Sequence, residues 1–216
     1  MSYQQLLQRL AERLQEPLPG KEAQRKMAAS ARHWNPSQYK PNGQTKEGGV
    51  MILLYPHQEE LFLPLILRPK SEKGVHSGQV AFPGGRREQS DTDIAFTALR
   101  ECEEEIGVAH QQVQLIGQLS PLFVFASNFM VYPTIGFLPE KPLFKPNASE
   151  VAEVLEVGLS HLLNPNTQKL TNIYINENLT LEAPYFDVAG QVVWGATAMM
   201  LSELREVLEE IKIYQD

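Results

Sequence analysis

The run Arg100-Glu101-Cys102-Glu103-Glu104-Glu105-Ile106-Gly107-Val108 places four carboxylates in five positions. Around it Ala95, Ala98, Leu99, Cys102 and Ile106 recur at helical spacing, so the carboxylates ride on an amphipathic helix, Ala95 to Ile106. Glu101, Glu104 and Glu105 are related by i, i+3 and i+4 and share a face, while Glu103 points elsewhere. Like charges at that spacing repel, each pair costing a helix ~0.2–0.5 kcal/mol. A divalent cation removes the repulsion. Hard oxygen ligands without a Cys or His set argue for Mg²⁺ or Mn²⁺ over zinc. Acidic runs are also common as solvated faces; what precedes the helix favours the metal.

Upstream, Ser77-Gly78-Gln79-Val80-Ala81 reads as a strand that ends in Phe82-Pro83-Gly84-Gly85. A polar loop from Arg86 to Asp93 follows, and the helix starts near Ile94. A Gly-Gly turn lets backbone approach a ligand closely, and a free carbonyl, such as that of Gly85, can join a metal shell. Strand, glycine loop and acidic helix together make a phosphate-and-metal architecture.

The segment from Gly85 to Val108 resembles the signature of the Nudix hydrolases, which cleave nucleoside diphosphates linked to another moiety. That box reads Gly, five residues, Glu, seven residues, then Arg-Glu-U-x-Glu-Glu-x-Gly-U, with U aliphatic. Arg100 to Val108 match it, with Cys102 standing as an aliphatic U. In the first half Asp91 replaces Glu, and eight residues rather than seven separate it from Arg100. The same insertion occurs in the branch that hydrolyses coenzyme A. That branch carries an upstream motif, roughly Leu-Leu-Thr-x-Arg-Ser, then Arg, then Gly, ending in Phe-Pro-Gly-Gly. Here the match is strong from His76 onward and partial before it. Leu67, Pro69, Lys70 and Gly74 fall where the branch has Thr, Arg, Ser and Arg, and Arg68, Lys70 and Lys73 keep the stretch basic. Ser127 to Pro133, Asn147 to Val154 and Trp194 to Ala198 also resemble segments of these proteins, so the resemblance runs from about Gly48 to Leu204.

The resemblance implies a metal-dependent hydrolase cleaving coenzyme A or acyl-CoA to 3′,5′-ADP and 4′-phosphopantetheine. Glu101, Glu104 and Glu105 would hold Mg²⁺ or Mn²⁺, with the Gly85 carbonyl as a fourth ligand, and Arg100 would orient the carboxylates. The base would be Glu104 or Glu105 through water, or Glu150 or Glu153 from a later loop. Arg68, Lys70 and His76 would contact the substrate, the basic pair reading a 3′-phosphate. Phe123, Phe125, Phe129 and Tyr132 offer rings for an adenine. Two alternatives stay open. One is another substrate, such as ADP-ribose or a dinucleotide; the NADH-type Ser-Gln-Pro-Trp element is absent, and Pro121 falls two residues short of the ADP-ribose proline. The other is a non-catalytic nucleotide-binding module, although all the box carboxylates are kept.

The elements that must position these groups follow from periodicity. Ser2 to Leu14 is an amphipathic helix, broken at Pro17 to Gly20, and residues 1–45 read as an N-terminal helical extension before a catalytic domain, 46–216. Val50–Tyr55, Leu61–Arg68, Val113–Val124, Met130–Leu138 and Val151–Leu159 read as strands, and Lys169–Asn176 with Leu179–Tyr185 as a hairpin. Ala196 to Tyr214 is a closing amphipathic helix. The class is α/β, a Nudix-type α/β/α sandwich with a mixed sheet. The net charge of −7 speaks against non-specific nucleic-acid binding, which needs a basic footprint. One cysteine excludes an internal disulfide and suits a reducing cytoplasm; beside Glu101 it reads as packing rather than a nucleophile. No apolar run spans a bilayer, and the N-terminus is no signal peptide. The expected partner is therefore a small-molecule nucleotide, with neither nucleic acid nor membrane, and a homodimer is compatible with the chain.

Overall fold

The computed structural model describes residues 2–30, 39–70, 78–176 and 179–213. His76, Lys73 and Gly74 lie outside them, as does the Tyr214 end of the last helix.

The fold is organised around β1 (Lys46–His57), whose apolar run is buried on both sides. Met51, Leu53 and Tyr55 pack with Ala98, Leu99, Cys102 and Ile106 of α3 (Ile94–Ile106). Ile52 and Leu54 point the other way, into a core with Leu7 and Leu10 of α1 (Tyr3–Arg13) and Leu201, Leu204 and Leu208 of α5 (Gly195–Ile213). Strand alternation thus sends neighbouring residues to two helical layers, which is why this strand reads as a continuous apolar run.

β1 pairs in parallel with β7 (Phe129–Phe137), from Lys46↔Phe129 to Leu54↔Phe137. It pairs antiparallel with β2 (Glu60–Leu67) and with β4 (Gly84–Arg86). With β3 (Val80–Ala81), β5 (Gln114–Gln118), β6 (Leu122–Val124) and β8 (Glu153–Gly158) these make a mixed eight-stranded sheet. Helices on both faces make it an α/β/α sandwich. A second sheet orders β11 (Gln191–Trp194), β10 (Leu179–Val188) and β9 (Gln168–Asn176).

Several expected boundaries shift. β1 begins at Lys46 rather than Val50, because Gly48 and Gly49 continue its ladder to β4. Val113–Val124 is two strands, since the ladder to β7 is interrupted at Leu119 to Pro121 between β5 and β6, both antiparallel to it. Val151–Leu159 ends one residue early, and Leu159 opens a short helix, α4 (Leu159–Leu163). The Gly84–Gly85 turn is itself strand, β4, and only Val80–Ala81 of the expected Ser77–Ala81 strand is ladder-paired among the described residues.

Near the N-terminus, Ser2 and Gln5 close a capping box on α1, and Arg13 donates to Glu210 at 2.6 Å. The unforeseen α2 (Gly20–Arg25) follows the proline break. It is held by Glu203, a fully buried carboxylate of α5. Glu203 accepts from Gly20 N at 3.2 Å, Ser120 N at 3.2 Å and Gln24 Nε2 at 2.9 Å.

Candidate active site

α3 begins at Asp93, whose side chain accepts from Phe96 N at 2.8 Å, and ends at Gly107 in the left-handed region with φ 74°. These caps fix the helix phase. That phase turns Ala98, Cys102 and Ile106 into the core and sets Glu101, Glu104 and Glu105 along the edge facing β4. Burial pushes the Cys102 thiol well above its ordinary range, so it packs and does not react. Glu103 is spent elsewhere: it accepts from the backbone N and ring Nδ1 of His110.

Two close approaches join β4 to α3. Gly85 lies so near Glu101 that a Cβ there would come within 2.4 Å of the carboxylate. Gly84 N donates to Glu105 Oε2 at 2.8 Å, and a Cβ on Gly84 would meet Gly49 O at 2.5 Å. The two glycines are a requirement of packing strand against carboxylate rather than of a turn. The Gly85 carbonyl lies against Gly48, toward β1.

Arg100 organises the acids. Its Nη1 donates to Glu101 Oε1 at 2.9 Å and Glu104 Oε2 at 3.1 Å. Nε and Nη2 donate to the two oxygens of Asp91 at 2.9 and 3.1 Å, and Nη2 also to Arg86 O at 3.1 Å. All five guanidinium N–H donors are thereby used. Asp91 is fully enclosed and takes Glu88 N and Thr97 Oγ1 as well, each at 2.9 Å. The Arg100 hydrogen bonds hold its carboxyl down at about 2.

The acids are graded in exposure: the side chain of Glu104 is 54% exposed, Glu101 15% and Glu105 2%. Burial pushes the Glu105 carboxyl up to about 7, against the Gly84 N–H and the nearby Arg68. Burial also raises Glu101. Glu150 adds negative potential at both, so the later loop reaches this site. That loop is pinned to the end of α3 by Lys145 N→Ile106 O at 2.8 Å and Asn147 N→Glu105 O at 2.9 Å. Glu153 instead heads β8, opposite Leu67.

The donor set fits Mg²⁺ or Mn²⁺: oxygen ligands only, Glu101 and Glu105 desolvated, and mutually repelling in the way a divalent charge would relieve. Among the described residues no three carboxylates already stand as a ready ligand set. Arg100 bridges Glu101 and Glu104 where a cation's charge would otherwise act.

Of the expected substrate contacts, Arg68 places Nη1 3.8 Å from Glu105 Oε1, inside the acidic cluster. Lys70 is exposed and runs past Gly78. His76 falls outside the described residues. A cleft of about 570 Å³ is lined by Arg86, Arg87, Glu88, Gln89, Ser90 and Glu101. Beside it, Arg87 donates to Glu47 at 3.1 Å and Tyr132 OH donates to Glu47 at 3.3 Å. Phe125 stacks on Tyr39 at 5.4 Å, and Lys46 sits 5.6 Å over Phe129. Tyr39 carried no signal in the sequence, because it follows a polar stretch far from the aromatic strands. Asp91 did carry one, its offset from Gly85.

Residues 45–172 match the family model of the NUDIX domain. NudL of Photorhabdus laumondii, named as an uncharacterised Nudix hydrolase, is 33% identical over 158 residues, 69% of this chain and 83% of its own. The mouse mitochondrial coenzyme A diphosphatase NUDT8 is 35% identical over 154 residues, 70% of this chain and 68% of its own. The mouse peroxisomal coenzyme A diphosphatase NUDT7 is 40% identical over 116 residues, 54% of this chain and 48% of its own. No helix among the described residues is long and apolar enough to cross a membrane. The family model covers more than half of the chain and contains both α3 and the carboxylates it carries: this protein belongs to the Nudix hydrolases.

Proposed function

We propose that this hydrolase cleaves the pyrophosphate link of coenzyme A or its acyl derivatives, giving 3′,5′-ADP and 4′-phosphopantetheine. The observation that carries the reading is the graded cluster Glu101, Glu104 and Glu105, held by Arg100 against Gly84 and Gly85. The two mouse coenzyme A diphosphatases support the substrate, since their likeness to this chain includes that cluster's segment.

Glu101, Glu104 and Glu105 would hold Mg²⁺ or Mn²⁺, with the Gly85 carbonyl at the edge of the shell. Such an ion neutralises diphosphate oxygens and makes bound water more acidic. The remaining work falls to the chain. Arg100 holds two of the carboxylates in register from a guanidinium that Asp91 immobilises. Arg68 brings positive charge to within 3.8 Å of Glu105, where a diphosphate would approach the cluster. Glu150 is the proton acceptor we favour, because it acts electrostatically on both Glu101 and Glu105 from a loop tied to the helix end. The stacked rings of Tyr39 and Phe125 form the surface for the adenine. The lone buried thiol, Cys102, suits work in the cytoplasm.

The test is a panel of coenzyme A, acetyl-CoA, ADP-ribose and diadenosine diphosphate with Mg²⁺ and with Mn²⁺, products resolved by chromatography. Metal-dependent formation of 3′,5′-ADP from the first two, faster than any cleavage of the others, is expected. Faster turnover of ADP-ribose would overturn the substrate, and no metal-dependent turnover of any compound would leave a nucleotide-binding module.

A further inference from the structure

Residues 138–152 join β7 to β8 without helix or strand, and Glu150 stands exposed near the end of this loop. Packing does not aim an exposed carboxylate on irregular chain. A proton acceptor nevertheless has to be aimed, since a misplacement of about 1 Å can cost a reaction ~10²-fold.

One residue ties the loop to the acidic cluster. Asn147 N donates to Glu105 O at 2.9 Å, so it grips the backbone of a carboxylate of that cluster. Its own carbonyl accepts Glu150 N at 2.9 Å and Val151 N at 2.8 Å. Its side-chain Oδ1 accepts Ser149 Oγ at 2.7 Å and Ser149 N at 3.2 Å. The backbone links need no particular side chain. The bonds to Ser149 need a short side-chain acceptor, which Asn and Asp supply. Beyond Glu150 the chain is fixed at once. Val151 is buried in the cluster that contains Ala98, Cys102 and Ile106, and Ala152 N donates to Leu67 O at 2.8 Å, one residue before Arg68. Glu150 is therefore held between a turn closed by Asn147 and an anchor on α3 and β2, the elements that lead to Glu105 and Arg68.

We propose that Asn147 is the positioning residue of the proton acceptor. Its side chain sets the turn that aims Glu150 at the cluster, and its N–H ties that turn to the backbone of Glu105. This role rests on Glu150 as the acceptor. It fixes the base relative to a metal-ligating helix rather than to the sheet alone. Loss of the side chain then slows the chemistry and leaves the binding of substrate and metal alone.

Steady-state kinetics with Mg²⁺, on whichever compound of the panel is cleaved fastest, test this. Glu150→Gln removes the base and should lower kcat ~10²-fold or more. Asn147→Ala should lower kcat about tenfold, with KM, the metal concentration for half-activity and circular dichroism unchanged. Asn147→Asp keeps the acceptor and should recover most of that loss. In the Glu150→Gln background, Asn147→Ala should change kcat less than about twofold, because the group it aims is gone. A Glu150→Gln variant with near-normal kcat overturns the acceptor, and the role of Asn147 with it. A slow Glu150→Gln beside a normal Asn147→Ala overturns the positioning role alone. So does an Asn147→Ala that costs the same factor in both backgrounds, or that raises the metal requirement in step with its loss of kcat, since its effect would then lie on the helix end and not on Glu150.

Discussion

Asp91 receives Arg100 in a two-point contact, Nε on Oδ1 at 2.9 Å and Nη2 on Oδ2 at 3.1 Å, inside an enclosure with no solvent access. Glu88 N and Thr97 Oγ1 both donate to Oδ2 as well. The shorter acid and the longer loop of this box therefore still close on the arginine. Asp91→Asn removes the charge and turns a donor amide toward a donor guanidinium. Removing one partner of a buried pair costs about 3–5 kcal/mol. We expect urea unfolding to show a loss in that range, and turnover to fall further than the metal concentration needed for half-activity rises, because Arg100 loses its anchor. A variant as stable as the wild type would remove Asp91 from the site's framework.

The metal ligands are tested by charge removal at constant shape. Glu104→Gln and Glu105→Gln should each keep the fold and lose ~10²–10³ in kcat, the usual scale for one key electrostatic element. Near-normal turnover of either at saturating Mg²⁺ would remove that residue from the ligand set.

Glu105 also makes a pH prediction for the metal-free protein. Burial holds its carboxyl at about 7, against 4.5 for an unperturbed glutamate. The folded state then binds more protons than the unfolded state between those values. Its contribution to stability is therefore lost as pH rises from 4.5 to about 7, and stays lost above. Unfolding with chelator present should show this slope in the wild type and a flatter one in Glu105→Gln. Saturating Mg²⁺ should flatten it too, by favouring the ionised carboxylate. Equal slopes in wild type and variant would show that Glu105 does not titrate there.

How much of this was legible in the sequence depends on the range of the interaction. The face shared by Glu101, Glu104 and Glu105 follows from helical spacing alone, and so does the burial of Ala98, Cys102 and Ile106. Both are local, one residue fixing the direction of the next. What Gly84 and Gly85 do is not local. They read as a turn, yet they are strand because Gly48 and Gly49 of β1 must lie beside them and Glu101 must lie above. Asp91 could be aligned with the box but not understood, since its partners Thr97 and Arg100 meet it only once the loop has closed. β11 and α2 were missed because each is short, and each is fixed by long-range contacts, β11 by β10 and α2 by Glu203.

Glu203 makes the stability prediction farthest from the chemistry. Glu203→Ala removes the acceptor of the part-buried Gly20 N and Ser120 N and leaves the Gln24 amide only Ser120 O. Hydrogen bonds to charged groups are worth ~1.5–3 kcal/mol each, so a loss of about 3–5 kcal/mol is expected. Protease cleavage near Pro17 to Gly20 should accelerate with it. Unchanged stability would mean that water replaces the carboxylate and the N-terminal segment is held by its leucines alone.

The last prediction separates two basic residues that adjoin in sequence and part in space. A 3′-phosphate distinguishes coenzyme A from its dephospho form, and Arg68 and Lys70 both suit it by charge. The geometry splits them. Arg68 reaches within 3.8 Å of Glu105, while Lys70 stays in solvent past Gly78. Arg68→Ala should therefore lower kcat for both substrates alike, as for an interaction made with the reacting diphosphate. Lys70→Ala should raise KM for coenzyme A more than for dephospho-coenzyme A and leave kcat nearly unchanged, as for lost uniform binding. Lysine binds phosphate as a point charge without a bidentate fork, so the selectivity it gives is modest and weakens with salt. Steady-state kinetics of both variants on both substrates, at two ionic strengths, decides it. If Lys70→Ala treats the two substrates equally, the 3′-phosphate is not read there, and the same experiment on Arg86→Ala, at the lip of the adjoining cleft, becomes the discriminating one.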